Sequence, residues 1–419
     1  MRPLKQLVSI FAVSLFAGSL LAGSAFGQTA KLVKIVGNAS AVTITAADGS
    51  ALALAEGTSI PQGATIKTGA GVEVNVEAFN GASASIKANS VVSVDKLDVN
   101  EAQLNLTKGS IVSQLDPAKK ATNKYSVKTP KGVAAARGTA YTISIDFSGG
   151  TNFSTLEGTV TLTPVGGGTP IVMPFGTASV NGSAAQTLSA AIAAQPSLAT
   201  DIAAAVQTVS QNVQNGSTGA GSGATTVTVL AAVVSAAAQA LPAQAATFTQ
   251  QAVAAVTSST SAANASSGTA AAAAVQAITT AAVTAAPSQA TAIATGATTA
   301  AVQSAITNSL ASNPGDGAAA SAAAQTAAQS VQTATVAAVN QAVTNGTLTA
   351  ANAPTVAQVT SAVQTGGATG TTQATANTSV TVTSPTVTSA TPSTSTETPV
   401  TPLTVTPPTS VDPALASPH

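Results

Sequence analysis

Val72-Glu73-Val74-Asn75-Val76-Glu77-Ala78-Phe79-Asn80-Gly81-Ala82-Ser83-Ala84-Ser85-Ile86-Lys87 alternates apolar or small residues with polar ones on both sides of Asn80-Gly81. Successive side chains of a strand point to opposite faces, so strict alternation predicts a strand with one face buried and the other wet. Asn-Gly accepts positive φ at both positions, as a type I′ turn requires. The stretch therefore predicts a β-hairpin.

Working outward, the same period of two recurs in Val91-Val92-Ser93-Val94, Leu104-Asn105-Leu106, Tyr141-Thr142-Ile143-Ser144-Ile145-Asp146-Phe147 and Thr159-Val160-Thr161-Leu162-Thr163. Asp48-Gly49, Gln62-Gly63, Thr68-Gly69, Lys108-Gly109 and Glu157-Gly158 separate such runs. Short strands divided by turns predict a mainly β domain over residues 28–183, built as a short-strand sandwich, barrel or solenoid. A domain of about 150 residues can bury a core of its own.

Composition narrows the chemistry. The 419 residues include no Cys, no Trp and one His, the terminal His419. Cysteine-metal sites, disulfides and thiol nucleophiles are excluded, and a Ser-His-Asp triad would need a His in the folded part. Asp95, Asp98 and Glu101 lie close together but lack the spacing of a calcium loop. No catalytic residue, metal or cofactor is predicted, and the chain reads as non-enzymatic. The 14 bases and 14 acids cancel, yet every Lys and Arg lies at or before Arg137. A half without bases cannot neutralise phosphates, so nucleic acid is not an expected partner.

The N-terminus reads as an export signal. Arg2 and Lys5 precede an apolar stretch from Leu7 to Leu21, and Ala25 and Gly27 stand at −3 and −1 of a cleavage site. Residues 1–27 are the expected signal peptide, with no retained membrane span. The mature chain would lie in the periplasm or outside the cell.

Six further features occur in order: Val36-Gly37-Asn38-Ala39; Gly57-Thr58-Ser59-Ile60-Pro61-Gln62-Gly63-Ala64-Thr65-Ile66-Lys67-Thr68-Gly69; the strands flanking Asn80-Gly81; Leu104-Asn105-Leu106-Thr107-Lys108-Gly109-Ser110-Ile111; Val127-Lys128-Thr129-Pro130-Lys131-Gly132-Val133-Ala134-Ala135-Ala136-Arg137-Gly138-Thr139-Ala140-Tyr141; and Leu156-Glu157-Gly158-Thr159-Val160. Together they resemble the FecR domain, named for the periplasmic regulator of ferric-citrate transport. The fifth is similar to its TP.G…RGT.F signature, although Asn80-Gly81 stands where the family more often has Asp-Gly. In that family the domain belongs to transmembrane regulators that pass a signal from an outer-membrane receptor to a sigma factor. Anti-sigma helices ahead of a membrane span are missing from the pattern here, so sigma-factor control is not carried over.

The motif residues Thr129, Pro130, Gly132, Arg137, Gly138, Thr139, Glu157 and Gly158 also read structurally. Pro130 interrupts a strand edge, and Gly132 and Gly138 permit turns or close strand approach. Arg137 should seek a bidentate carboxylate, with Glu157 favoured over Asp146 and Asp116; the alternative is an anionic ligand. Lys119, Lys120, Lys124, Lys128 and Lys131 form a basic cluster, either a solvated face or a contact for anionic envelope polymer.

Residues 184–365 shift to Ala, Thr, Ser, Gln and Val. Leu198, Ile202, Val206, Val209 and Val213 step at helical spacing; Ile293, Val302, Ile306 and Leu310 continue a similar stripe, as do Val331, Val336, Val339 and Val343. Pro196, Pro242 and Pro287 recur about 45 residues apart, which predicts degenerate helix–Pro–helix hairpins. Seams of Val, Ile and Ala bury little area per turn, so loose packing is expected. Residues 366–419 read as a disordered Thr/Ser/Pro-rich tail. Two functions follow: a binding or signalling-type module that recognises an envelope protein or polysaccharide, or a structural surface component that self-associates through the Ala-rich helices.

Overall fold

A computed structural model describes residues 29–258, 268–376 and 378–388. The expected signal peptide and residues 389–419 lie outside the described residues.

The β region is a sandwich of two sheets. The helix-side sheet runs β3 (Ser59–Pro61), β1 (Thr29–Val36), β5 (Glu73–Phe79), β6 (Ala82–Ile86), β8 (Glu101–Leu115), β11 (Ala140–Ile145), β12 (Thr151–Glu157), β15 (Thr177–Val180) and β16 (Gln186–Thr187). The open sheet runs β2 (Val42–Thr45), β4 (Thr65–Thr68), β7 (Val91–Asp98), β8 again, β9 (Lys124–Thr129), β10 (Gly132–Ala136), β13 (Thr159–Pro164) and β14 (Ile171–Pro174). All pairings are antiparallel except β8 with β9. The hairpin read from Asn80-Gly81 is β5–β6, with Val74 opposite Ile86 and Val76 opposite Ala84.

Both sheets share the 15-residue β8. Its first half pairs with β7 and β9, its second with β6 and β11. The strand changes sheets at Gly109, where φ is +84° and a Cβ would sit 2.6 Å from the Ser90 Cα. Only glycine fits this bend. The inner core lies between the sheets, where Leu104, Leu106, Ile111, Val127, Ile143, Phe153 and Leu162 are fully buried.

The polar positions of β5 and β6 are not wet. Both strands are buried on both faces, including Asn75, Ser83 and Ser85. The covering elements are α2 (Ser197–Gln214) and a 3-10 turn at Thr218–Ala220. α1 (Leu188–Ala194) lies against β15, and α3 (Ala224–Ala240) against β12. Alternation in the opening stretch thus reports two buried faces, one meeting apolar side chains and the other meeting polar ones.

The helices continue as α4 (Ala245–Ser258), α5 (Gly268–Ala285), α6 (Ala290–Ser312), α7 (Gly317–Thr344) and α8 (Val356–Thr375). Each packs on the second helix along, in two stacks: α2–α4–α6–α8 and α3–α5–α7. This is a two-layer helical solenoid whose first layer is seated on the sandwich. Pro196, Pro242 and Pro287 mark its corners. The residue ahead of each proline leaves the helical region with nearly the same backbone: Gln195 at φ −137° and ψ 86°, Leu241 at −132° and 68°, Ala286 at −134° and 66°.

Two expectations change here. The helices are not loose: Ile202, Val206, Val233, Phe248, Val253, Ile278, Ile293, Val302 and Val331 are fully buried, in one core with Val112, Ala140, Leu156 and Ala178 of the sheet. Small residues allow this, because helices carrying Ala and Gly approach closely. A Cβ on Gly370 would sit 2.6 Å from the Thr299 carbonyl oxygen across the α6–α8 contact. The expected tail boundary at 366 falls inside α8, which Thr355 and Gln358 start with a reciprocal capping box. Residues 378–388 then run extended against α7 and α8.

Candidate binding face

Among the described residues, helices and the 3-10 turn cover the outer face of the helix-side sheet from β5 to β15, whereas alternate residues of the open sheet stay exposed. Register puts Val172, Thr161, Ala135, Ser126, Gln103 and Lys96 in one row across five strand pairings. The next row holds Thr163, Val133, Lys128, Asn105, Ser93 and Thr65. Lys124, Lys128, Ala135, Arg137 and Thr159 are exposed. A groove of about 590 Å³ crosses β9, β10 and β13, with Arg137 and Lys124 beside Ser126, Thr159 and Thr161 and with Glu101 at one side. Glu101 takes an ion pair from Lys96 at 2.9 Å, and both side chains are solvated. Lys124, Lys128 and Arg137 have no ion pair among the described residues. Two free cations flanking hydroxyl groups suit a carboxylated or otherwise anionic, hydroxyl-rich surface.

The signature residues build two strand corners. Arg137-Gly138-Thr139 carries the chain from β10 in the open sheet to β11 in the helix-side sheet. Glu157-Gly158 carries it back from β12 to β13. Gly138 has φ +63° and Gly158 has φ +73°; a Cβ on Gly158 would sit 2.7 Å from the Gly138 carbonyl oxygen, and one on Gly138 would sit 2.7 Å from the Pro117 Cα. The two corners are therefore packed against each other. The Leu115 N–H donates to the Thr139 carbonyl at 2.8 Å, tying the corner to β8. Thr129 closes the β9–β10 turn around Pro130: its hydroxyl donates to the Gly132 carbonyl at 3.0 Å and accepts from the Gly132 N–H at 3.2 Å.

The favoured Arg137–Glu157 pair does not form. Arg137 points to solvent on the open face, whereas Glu157 sits behind the corner, where burial pushes its carboxyl up to about 7 against a backbone bond from Ala140 and the charge of Lys120. Its Oε2 is buried without a hydrogen-bond partner. The five lysines do not share one surface. Lys124 and Lys128 stand on the open face, Lys131 on the β9–β10 turn, and Lys119 and Lys120 in the loop after β8, where Lys119 donates to Asn80.

A second polar constellation has no counterpart in the expected site. Under α2, Lys87 bonds Glu73 and donates to the Thr208 hydroxyl at 2.8 Å. Asn212 donates to Gln114 at 3.1 Å, Ser144 to Asp201 at 2.6 Å, and Thr218 to Glu77 at 2.6 Å. Burial raises the Asp201 carboxyl, and the Ser144 bond opposes that rise. The signal was present in the polar positions of the opening stretch, but a strand's polar face does not say what covers it. Among the described residues no group of His, Cys, Asp and Glu could hold a metal ion.

Residues 64–161, the span from β4 into β13, match the family model described as FecR protein. Two crystal structures of a protein described as an anti-sigma factor from Parabacteroides distasonis ATCC 8503 are similar at 11% identity and a TM-score of 0.26. Each match covers 29% of this chain and 59% of that one, so the chain spans little more than half of that protein's length. No curated protein matches the chain.

Proposed function

We propose that the chain is an exported, non-enzymatic binding or signalling-type module whose FecR domain recognises an envelope protein or polysaccharide through the outer face of the open sheet. One observation carries the reading: helices cover most of one face of the sandwich, and the other face bears Lys124 and Arg137 at a hydroxyl-lined groove with Lys128 on the same face, all three without an ion pair among the described residues. The family match supports a regulatory role for the same strands.

Other features fit. No single helix among the described residues is long and apolar enough to cross a membrane. The one pair of helices that passes on composition bends by 118° at Pro287 and carries buried Ile278, Val283, Ile293 and Val302. The large apolar side chains exposed among the described residues, such as Phe147, Val172 and Phe175, all belong to the β region. The alternative reading, self-association through the Ala-rich helices, would therefore rest on small side chains among the described residues.

The test is retention of the full chain on immobilised cell-envelope material, before and after protease treatment of that material. The charge-reversed variant Lys124→Glu/Lys128→Glu/Arg137→Glu should lose at least tenfold in retention, and loss after protease would identify a protein partner. Equal retention of the variant and the parent would overturn the assignment of the face.

A further inference from the structure

The segment Thr378–Thr388 has no place in the binding reading above, and it has the contacts of a bound peptide. Its sequence is Thr-Ser-Val-Thr-Val-Thr-Ser-Pro-Thr-Val-Thr. It runs extended between α7 and α8 without joining a helix or a sheet. Apolar residues face the helices: Pro385 and Val387 are buried and Val382 packs on the helical core, whereas Thr381, Thr383, Ser384 and Thr386 are exposed. The helices read its backbone with side chains. Gln325 spends both ends of its amide on one residue, accepting from the Thr386 N–H and donating to the Thr386 carbonyl, each at 2.9 Å. One helical turn earlier on α7, the Ser321 hydroxyl accepts from the Thr383 N–H at 2.9 Å. From α8, Gln364 donates to the Val387 carbonyl at 3.1 Å. Two glycines make room. A Cβ on Gly367 would sit 2.6 Å from the Pro385 ring, and one on Gly317 would strike the Thr381 carbonyl.

We infer that the groove between α7 and α8 is a peptide-binding site for an extended, uncharged segment with proline in the Gly367 slot and valine two residues later, filled in cis by residues 378–388. Three considerations lead there. Side-chain amides and hydroxyls that pair with main-chain N–H and C=O groups give affinity for extended backbone, and pockets for alternate side chains give selectivity. The segment meets these groups without forming regular structure that would hold it in place alone. The contacts named above are neutral hydrogen bonds and three small apolar anchors, Val382, Pro385 and Val387, as suits an exchangeable ligand.

The experiment uses the full chain with a protease site inserted at Asn377. After cleavage the C-terminal piece should co-elute with the body. A labelled peptide of the 378–388 sequence in excess should displace it, saturably and one to one, as read by fluorescence anisotropy. A peptide carrying Pro385→Ala and Val387→Asp should bind at least tenfold more weakly, and Gln325→Ala or Gln364→Ala in the body should weaken the parent peptide at least fivefold while the far-ultraviolet circular dichroism is unchanged. A piece that departs on cleavage and does not rebind, or a variant peptide that binds as well as the parent, would overturn the inference. A cleaved or uncleaved chain that dimerises by lending this segment to a neighbour would overturn its occupation in cis. Peptide binding is independent of the open sheet, so charge reversal at Lys124, Lys128 and Arg137 should leave it intact.

Discussion

Single residues fix the geometry of the sandwich, and two of them give direct tests. Gly109 allows one strand to serve two sheets, so Gly109→Ala forces both a left-handed backbone and an overlap with Ser90. The expected loss is about 2 kcal/mol or more in urea unfolding. Glu157 should make stability depend on pH. Its native value of about 7 lies above its ordinary 4.5, so the folded chain holds a proton that the unfolded chain releases between the two. The stabilisation is complete below about pH 4.5 and is lost as the pH rises through 7. Asp201 is shifted in the same direction, so the comparison must be made against a variant. Glu157→Gln should be more stable than the parent above pH 7 by on the order of 3 kcal/mol, with the gap closing toward pH 4.5. Equal pH dependence of parent and variant in urea titrations would show that the carboxyl is not desolvated. The sequence makes the glycines of this corner visible and suggests a partner for Arg137. It cannot reveal that Arg137 and Glu157 sit on two neighbouring corners and face opposite ways, because that depends on which sheet each flanking strand joins.

At the scale of elements, the joint between α2 and the helix-side sheet is a layer of polar contacts. Glu73 and Lys87 are the charged pair at its centre, and Glu73 Oε1, Asn75 Oδ1 and Gln114 Nε2 have no partner within it. Such a layer costs more when half removed than when replaced whole. Lys87→Met should destabilise by about 2–3 kcal/mol and Glu73→Leu by a similar amount, whereas the double variant should fall within about 1 kcal/mol of the parent; a double-mutant cycle in urea reads the coupling. Additive losses would show that the two groups act independently. The period-two stretch that reveals β5 and β6 also contains these residues, but alternation assigns only faces. The seams of the helices were legible in the same partial way. Leu198, Ile202, Val206, Val209 and Val213 lie along the buried side of α2, as their spacing requires. Their tight closure depends on Ala and Gly on the facing helices, which hydrophobic spacing underrates.

Across the described residues, nearly all the charge lies in the sandwich. The described helices carry only Asp201 within them and Asp316 as the cap of α7, and their outer surface is made of Ala, Thr, Ser and Gln. Exposed threonines such as Thr307, Thr333 and Thr369 return their hydroxyls to the carbonyl four residues earlier. Salt should therefore matter little: raising NaCl from about 0.05 to about 0.5 M should shift the Tm by less than about 2 °C, as followed by helical circular dichroism. A larger shift would mean that the few ions of the sandwich hold the solenoid in place. The division into a β part and a helical part was readable from composition, but their common core at Val112, Ala140, Leu156 and Ala178 was not, since each of those residues looks like an ordinary member of a strand. β8 gives that union a mechanical meaning. Glu101 borders the groove on the open face, and Val112, farther along the same strand, lies beneath the helices. A pull exerted by a partner at the groove would reach the base of the solenoid through unbroken covalent backbone, so the first bonds to yield under such tension should be those at the strand's flanks and not those along its length.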